Sequence, residues 1–327
     1  MKRKKIVNIL LTAAGTMKGP TMIHYLKQQT KYNISITACD ADGLSAGLYL
    51  ADKHYLIPKV TDKNYIPALL EICRQEKIKI FIPLLSDELL LISKHKEDLS
   101  KLGVAVIVAD PPCIETCEDK WLTYKLFNKL GVPTPKTWLT SMLPKKSHLP
   151  LVVKPRVGSG AKGFKLVENQ TQLKQITKLE NHIAQSLVEG KEYTTDFICD
   201  NKGHLIGAVT RIRLKVMEGK SVKGQTVNNP SIIKHIKKIA YATKMYGPAN
   251  VQCFETKRGK LLFTEINPRL AAGGLPLSIV AGLNIPLLCL QLGLKHKIKT
   301  PIKIKPNIYM LRYLSEIFID HNNHSLN

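Results

Sequence analysis

A carboxylate, an amide oxygen and a guanidinium follow one another closely in Thr264-Glu265-Ile266-Asn267-Pro268-Arg269. The segment continues an apolar stretch, Lys260-Leu261-Leu262-Phe263, that reads as a β-strand. Residues two apart on a strand face the same side. Glu265 and Asn267 therefore offer two oxygens side by side, the arrangement that a hard cation such as Mg²⁺ requires. Arg269 lies just past a proline, where its planar fork can reach phosphate oxygens. A strand that ends in metal ligands and an arginine points to phosphoryl transfer.

Four other segments bear on that chemistry. Lys154-Pro155-Arg156-Val157-Gly158-Ser159-Gly160-Ala161-Lys162-Gly163 places a lysine at a strand end, ahead of a glycine-rich loop. Glycines let backbone N–H groups crowd around an anion. The order of a Walker loop is absent, so on its own the segment is either a phosphate cradle or a flexible hairpin. Gln185 to Asp196 joins two strand-rich regions, a natural place for a flat ring to be sandwiched. There backbone groups can bond the ring edge and Glu192 can accept from sugar hydroxyls, or the segment is an ordinary turn. Asn250–Glu255 should pair with Leu261–Ile266 through a hairpin at Lys257-Arg258-Gly259. That sets Gln252 beside Glu265, as a neutral metal ligand or as a satisfied strand glutamine. Arg211 and Arg213 share one strand face and can grip a substrate carboxylate, or can be a solvated pair. Gly273, in Ala271-Ala272-Gly273-Gly274, opens a helix whose N–H groups can hold an anion.

The elements that must position these residues fall into three stretches. Residues 1–109 alternate strand-like runs (Ile6–Thr12, Ile34–Ala38, Ile78–Ile82, Val104–Val108) with helices expected over Asn64–Lys77 and Asp87–Leu102. This alternation predicts a parallel, doubly wound sheet. Gly15 to Gly19 forms a strand–helix turn there, with Asp40 and Asp87 at strand ends, but the dinucleotide fingerprint is missing. Asp110-Pro111-Pro112 breaks the pattern. A helix over about Glu118–Leu130 follows, with Gly131 past its end. Strands Leu151–Lys154, Phe164–Val167 and Ile183–Val188, with a helix near Thr171–Leu179, make a small α+β unit. Long strands over residues 191–267 then surround one helix, capped by Ser231 and ended by Gly247. Gly274–Leu294 reads as helical, broken near Gly282–Pro286.

Composition narrows the function. The 327 residues carry a formal charge of +24, at first sight a nucleic-acid signal. Yet only eight of the 49 basic residues are arginine and aromatics make up 6%. Base readers favour arginine with interleaved aromatics, so nucleic acid is not the expected partner. The lysine-rich surface gathers anionic substrates instead. Seven scattered cysteines read as buried free thiols in a reducing compartment. The basic start, Met1-Lys2-Arg3-Lys4-Lys5, and the apolar run after it mimic a signal peptide. They read better as a first core strand, because a βα pattern continues at once. No run is long enough for a membrane span, and the cytoplasm is the expected location.

The E-I-N-P-R strand, the V-V-K-P-x-x-G-S-G-x-K-G hairpin and the E-G-x-E-Y-x-x-D hinge together resemble the ATP-grasp superfamily. The pattern is most similar to the ATP-binding halves of the carbamoyl-phosphate synthase large subunit and its stand-alone carboxylate–amine ligase relatives, over nearly the whole chain. The resemblance implies an α/β protein in which two α+β subdomains grip ATP behind a Rossmann-like parallel-sheet domain. It implies a pre-ATP-grasp domain at 1–109, a linker helix and lid subdomain at 110–190, a large subdomain at 191–320 and a frayed tail at 321–327. Lys120 and Lys154 resemble the basic residues that meet the ATP phosphates, and Gly158, Ser159 and Gly160 the lid loop. Gln185, Leu187 and Val188 resemble the adenine hinge and Glu192 the ribose acceptor. Gln252, Glu265 and Asn267 resemble the Mg²⁺ ligands, with Mn²⁺ an alternative ion. Arg269 resembles the arginine on the transferring phosphoryl group. The chain has one such unit and no glutaminase segment, and it has Gln252 where many ATP-grasp ligases have a carboxylate. Three functions stay open. One is ATP-dependent joining of a carboxylate to an amine or ammonia, by a monomer or homodimer. Another is phosphorylation of bicarbonate or carbamate with a partner. The third is non-catalytic binding of nucleotide or nucleic acid.

Overall fold

The computed structural model describes residues 6–144, 147–158, 163–217 and 220–320. Ser159 and Gly160, the basic start and the 321–327 tail lie outside the described residues. The chain begins with β1 (Ile6–Leu11), α1 (Lys18–Lys27), β2 (Asn33–Asp40), α2 (Ala46–Leu50), β3 (Lys53–Leu56) and α3 (Tyr65–Gln75). It continues with β4 (Ile80–Ile82), α4 (Leu89–Lys94), α5 (Lys96–Lys101) and β5 (Ala105–Val106). These strands form a parallel sheet in the order β3-β2-β1-β4-β5. Its centre is apolar on both faces, as a sheet covered on both sides demands. One helix expected over 87–102 is two helices that meet at His95, which departs from helical geometry at φ −100°, ψ 15°. The acidic Glu97 and Asp98 then open α5, where the helix dipole favours them.

Asp110-Pro111-Pro112 does not stop regular structure. It starts α6 (Pro111–Glu118), because a proline in the first turn gives up an N–H that has no helical partner anyway. Next comes α7 (Lys120–Lys129), which starts later than expected because Asp119 caps it, accepting from the N–H groups of Trp121 and Leu122. Gly131 takes the left-handed conformation (φ 63°) expected past the helix end.

A four-stranded antiparallel sheet follows: β6 (Thr137–Leu139), β7 (Leu151–Pro155), β8 (Lys165–Val167), α8 (Gln170–Ile176) and β9 (His182–Ser186), ordered β6-β9-β7-β8. The remainder is β10 (Gly190–Cys199), β11 (Leu205–Met217), β12 (Lys220–Val227), α9 (Pro230–Thr243), β13 (Gly247–Thr256), β14 (Leu261–Asn267), α10 (Leu275–Val280), α11 (Ile285–Gly293) and β15 (Tyr309–Leu311). Its sheet runs β14-β13-β10-β11-β12-β15. Two expectations for α9 are corrected. Asn229, not Ser231, caps it by accepting from Ile232 N at 3.2 Å. It ends at left-handed Lys244, and Gly247 instead opens β13.

Packing separates the three sheets unequally. Leu10 and Phe81, on one face of the parallel sheet, share a core with Phe127, Phe197 and Phe263. Ile9, Leu11 and Ile80, on the other face, share a core with Ile198, Val209 and Leu288. The parallel sheet and the six-stranded sheet are thus joined through both faces of the former. The four-stranded sheet has a core of its own around Leu151, Val153, Val167, Leu173 and Ile176. All seven cysteines are buried and free. No described helix is long and apolar enough to cross a membrane.

Candidate functional site

Pairing register builds the site out of transverse rows on the six-stranded sheet. Thr194 of β10 stands opposite Arg211 of β11 on one side and Gln252 of β13 on the other. Gln252 stands opposite Glu265 of β14. One row therefore reads Arg211, Thr194, Gln252, Glu265. Two residues along the strands, on the same face, the next row reads Asp196, Asn250, Asn267. Two residues the other way comes Glu192, opposite Phe254. The three rows form a floor that runs from Glu192 to Asn267.

Small side-chain bonds fix the Asn267 end of this floor. Asn250 Nδ2 donates to the Arg269 carbonyl at 3.0 Å, and its Oδ1 accepts from Asn267 Nδ2 at 3.3 Å. Asn267 then turns its own Oδ1 toward Arg269 Nη2, at 3.3 Å. Asn250 thus holds the amide and the guanidinium in one arrangement. Thr194 Oγ1 is buried and has no hydrogen-bond partner. An orphaned oxygen beside Gln252 and Glu265 fits a site that an oxygen-seeking ion and its water would complete. Among the described residues no cluster of three or more His, Cys, Asp or Glu can hold a metal. The set at hand, one carboxylate with two amides, suits a cation that shares its charge with phosphate rather than a caged structural ion.

The opposite wall comes from the four-stranded sheet and α7. Lys154 ends β7 and Lys120 opens α7. Lys120 Nζ donates to the Gly158 carbonyl at 2.9 Å, which ties the start of the glycine loop to the helix. Asp119 holds Arg156 through contacts of 3.1 and 3.2 Å to its Nε. Burial pushes the Lys154 ammonium below its usual range; Glu265 opposes the shift and Lys120 adds to it. Burial lowers Lys120 as well, against the pull of Glu265, Asp119 and Glu118. Arg269 is lowered by burial too, with Glu265 resisting. Glu265 is the carboxylate common to these three desolvated cations, and a phosphate chain would add negative charge that favours their ionised forms.

The floor and the wall opposite it enclose a cavity of about 930 Å³. Lys120, Lys154, Gly158, Glu192, Gln252, Glu265, Asn267 and Arg269 all line it. So do Gln185, Leu187 and Val188 of the connector. Gln185 is pinned by donating to Thr137 Oγ1 at 2.9 Å, which leaves the backbone after β9 to face the cavity. Every described residue expected from the sequence at this site is therefore brought to one space.

Some of these residues are committed in ways the sequence did not reveal. Arg211 is buried against Asp196 (Nε to Oδ2, 3.0 Å), and Ser278 Oγ donates to the same carboxylate at 2.5 Å. Arg213 Nη1 donates to Glu192 Oε1 at 2.7 Å. The two arginines thus line the cavity with internal carboxylates already on them, so neither is a bare carboxylate clamp. A side chain at Gly274 would put its Cβ 2.0 Å from the Arg211 guanidinium, and one at Gly273 would lie 2.4 Å from Ser221 N. These glycines answer to close packing around Arg211, and α10 begins only at Leu275. Sequence reasoning missed Thr194, Asn250, Asp119, Arg156 and Lys18. Asp119 and Arg156 flank Lys120 and Lys154 in sequence and carried a local signal. Thr194 and Asn250 become visible only through strand register.

Comparison with known proteins agrees with this fold. Residues 9–107 match the family model of the PylC-like N-terminal domain, and residues 117–273 that of the ATP-grasp domain. The carbamoyl phosphate synthase large chain of Buchnera aphidicola subsp. Acyrthosiphon pisum is 28% identical over 255 residues, covering 71% of this chain. This chain spans only 23% of that protein's length, and 48% of the carbamoyl-phosphate synthase of Methanobrevibacter smithii, which is 24% identical over 184 residues, 54% of this chain. Among solved structures, N5-carboxyaminoimidazole synthetase of Staphylococcus aureus aligns with a TM-score of 0.73 at 17% identity, over 96% of this chain and 84% of that one. An L-amino acid ligase of Bacillus licheniformis gives 0.68 at 18% identity, over 90% of this chain and 75% of that one. With both matched regions in place around one cleft, residues 117–273 are an ATP-grasp domain and residues 9–107 a PylC-like N-terminal domain.

Proposed function

We propose that this protein is an ATP-dependent ligase that joins a carboxylate to an amine or ammonia, releasing ADP and phosphate. The observation that carries the proposal is the row Thr194, Gln252, Glu265, with Asn267 beside it, facing Lys120, Lys154 and Arg269 across one cavity. The substrate carboxylate attacks the γ-phosphorus of ATP; the bond to the β,γ-bridging oxygen breaks and an acyl phosphate and ADP result. The amine nitrogen then attacks the acyl carbon, phosphate leaves, and the nitrogen loses a proton. A bound Mg²⁺ supplies neutralisation of the phosphate oxygens. Glu265, Asn267 and Gln252 would hold it, or Mn²⁺ in its place.

The chain's own residues do the positioning, which is most of the work in phosphoryl transfer. Lys154 and Lys120 meet the phosphates from the lid side. Arg269, held by Asn267 and Asn250, faces the group in flight. The connector at Leu187 and Val188 takes the adenine edge, and Glu192, steadied by Arg213, takes the ribose. The loop after Gly158 excludes water that would hydrolyse the acyl phosphate. A homodimer and a cytoplasmic setting, in keeping with seven unpaired thiols, belong to the same reading.

Trapping with hydroxylamine tests it: an acid that is activated yields a hydroxamate together with ADP. ADP or hydroxamate from no carboxylate in a broad panel would overturn the ligase reading. The similarity to the synthase large chain, together with Gln252 at a ligand position, supports a second reading in which bicarbonate or carbamate is phosphorylated with a partner. ADP release stimulated by bicarbonate without any organic acid would favour that second reading.

A further inference from the structure

The cavity has a third wall, built by the parallel sheet. Gly15, Thr16, Met17 and Lys18 after β1, with Leu85 and Ser86 after β4, line it together with Arg269 and Gly273. Lys18 is the unexpected residue there. It is only 5% exposed, and it donates to the Leu84 carbonyl. Glu88, the buried carboxylate that acts on it, already accepts three hydrogen bonds. Thr12 Oγ1 donates to it at 2.8 Å, Leu85 N at 2.7 Å, and the Tyr65 hydroxyl also.

The charges around Lys18 separate it from the phosphate end. Arg269, Glu88 and Asp87 act on Lys18, whereas Glu265 and Lys120 act on Lys154. Glu265, Glu118 and Asp87 all act on Arg269, so it feels carboxylates that act on both lysines. Lys18 and Arg269 repel one another, and both residues line the cavity. Asp87 offsets part of that repulsion, and an anionic ligand in the cavity would offset more of it. Arg269 alone can address the group being phosphorylated. A second buried cation calls for a second negative group.

We propose that Lys18 anchors a substrate carboxylate that is not the one phosphorylated. This rests on the carboxylate–amine ligase reading and narrows it: one of the two substrates, the acid or the amine, carries an additional carboxylate. Bicarbonate, butyrate-like monoacids with simple amines, and ammonia with monoacids do not meet that requirement. A site with a buried charged donor rejects an analogue that leaves the donor unpaired.

The test compares wild type with Lys18→Met and Lys18→Arg, each loaded with MgADP. Thermal shifts are measured with malonate, succinate and glutarate against acetate, propionate and butyrate, and with glycine against methylamine. Expected is stabilisation of wild type and Lys18→Arg by one carboxylate-bearing series only, with the acid arm and the amine arm identifying the source. Lys18→Met should lose the preference, a drop in affinity of about 30-fold or more. Turnover by hydroxamate or ADP release then reads the same preference as KM for that substrate.

The proposal is overturned if no series stabilises wild type, or if Lys18→Met keeps the preference. It is also overturned if Lys18→Met weakens MgADP binding instead, which would place Lys18 on the phosphates. A lysine that only braces the Leu84 carbonyl would alter melting without ligand but not the preference. Binding needs no turnover, so failure of the ligase reading, with no hydroxamate from any acid, shows separately from failure of the anchor.

Discussion

The parallel sheet and the four-stranded sheet both wall the same cavity, but they are attached to the floor in different ways. The parallel sheet shares two hydrophobic cores with the six-stranded sheet, through Leu10, Phe81 and Phe263 on one face and Ile9, Leu11 and Val209 on the other. The four-stranded sheet keeps a private core around Leu151 and Val153. Several of its links to the rest are polar: Asp119 with Arg156, Lys120 with Gly158, and Phe263 N with the Pro133 carbonyl. Shared apolar area resists sliding, whereas a few hydrogen bonds can open and re-form at low cost. One wall is therefore fixed and one is able to move. The proposed metal ligands and Arg269 sit on the floor that the fixed wall braces; Lys154 sits on the wall that can move.

The sharpest way to break this comparison is to remove the centre of the floor. Glu265→Ala takes away the carboxylate among the metal-ligand positions, and electrostatic stabilisation is the main term in this chemistry. Turnover should fall by about 10³-fold or more, while melting changes little because Glu265 faces the cavity. An active Glu265→Ala, measured by ADP release, means that the metal is held elsewhere.

Core truncation separates the walls next. Phe263 is fully buried where α7, α9 and the floor meet, with ring contacts to Phe127 and His235. Phe263→Ala should cost about 3–5 kcal/mol of global stability. Leu151→Ala, in the private core, should cost about 2–5 kcal/mol but release it locally. Hydrogen exchange decides: faster exchange confined to β7, β8 and β9 is expected for Leu151→Ala, and exchange spread across both larger sheets for Phe263→Ala. Equal patterns would mean that the lid does not open as a unit.

How much of this was legible beforehand depended on whether a signal was local. Glu265, Asn267 and Arg269 were readable because strand alternation places them together within one segment. Lys154 and its glycines were readable for the same reason, and so was the hairpin that brings Gln252 to Glu265. Arg211 and Arg213 were seen as a pair but not as partners of Asp196 and Glu192, since pairing across strands depends on register. Lys18 sat unnoticed in a βα turn because a lysine opening a helix is ordinarily solvated. Its burial is imposed from outside, by Leu84 and the packed third wall. The cap of α9 was misplaced by two residues for a different reason. Asn229 and Ser231 are both good caps, and the proline between them favours the earlier one by fitting the first helical position.

Lys18 also gives the fixed wall a pH signature. Its pKa is pushed down to about 7, chiefly by burial, then by Arg269, with Glu88 and Asp87 opposing. The folded state therefore holds this proton less tightly than the unfolded chain. The cost of burying the cation is fully present below pH 7 and is relieved as pH rises toward the unfolded value of about 10.4. Lys18→Met should be more stable than wild type at pH 6. That advantage should shrink by about 1.4 kcal/mol per pH unit between 7 and 10. Denaturant unfolding across that range checks it, and an advantage that stays constant with pH would mean that Lys18 does not titrate there.

The smallest expected effect concerns the link that lets the other wall move. Asp119 does two things at once: it caps α7 through Trp121 N and Leu122 N, and it grips Arg156 at the end of β7. Burial alone would raise its carboxyl, but Arg156 and the two N–H groups outweigh that and hold it below the usual range. Asp119→Asn keeps a capping oxygen and discards the ion pair; Arg156→Ala discards the pair and keeps the cap. If the pair positions Lys120 and Lys154 against each other, both variants should raise the KM for ATP by a similar factor, about 5- to 10-fold for a partly exposed charged contact. Melting should fall by the equivalent of about 1 kcal/mol or less in each. The double variant should lose no more than either single one, because a shared link can be cut only once. Additive losses would instead mean that Asp119 acts through the helix and Arg156 through the loop, and α7 would then be joined to the four-stranded sheet by less than the structure suggests.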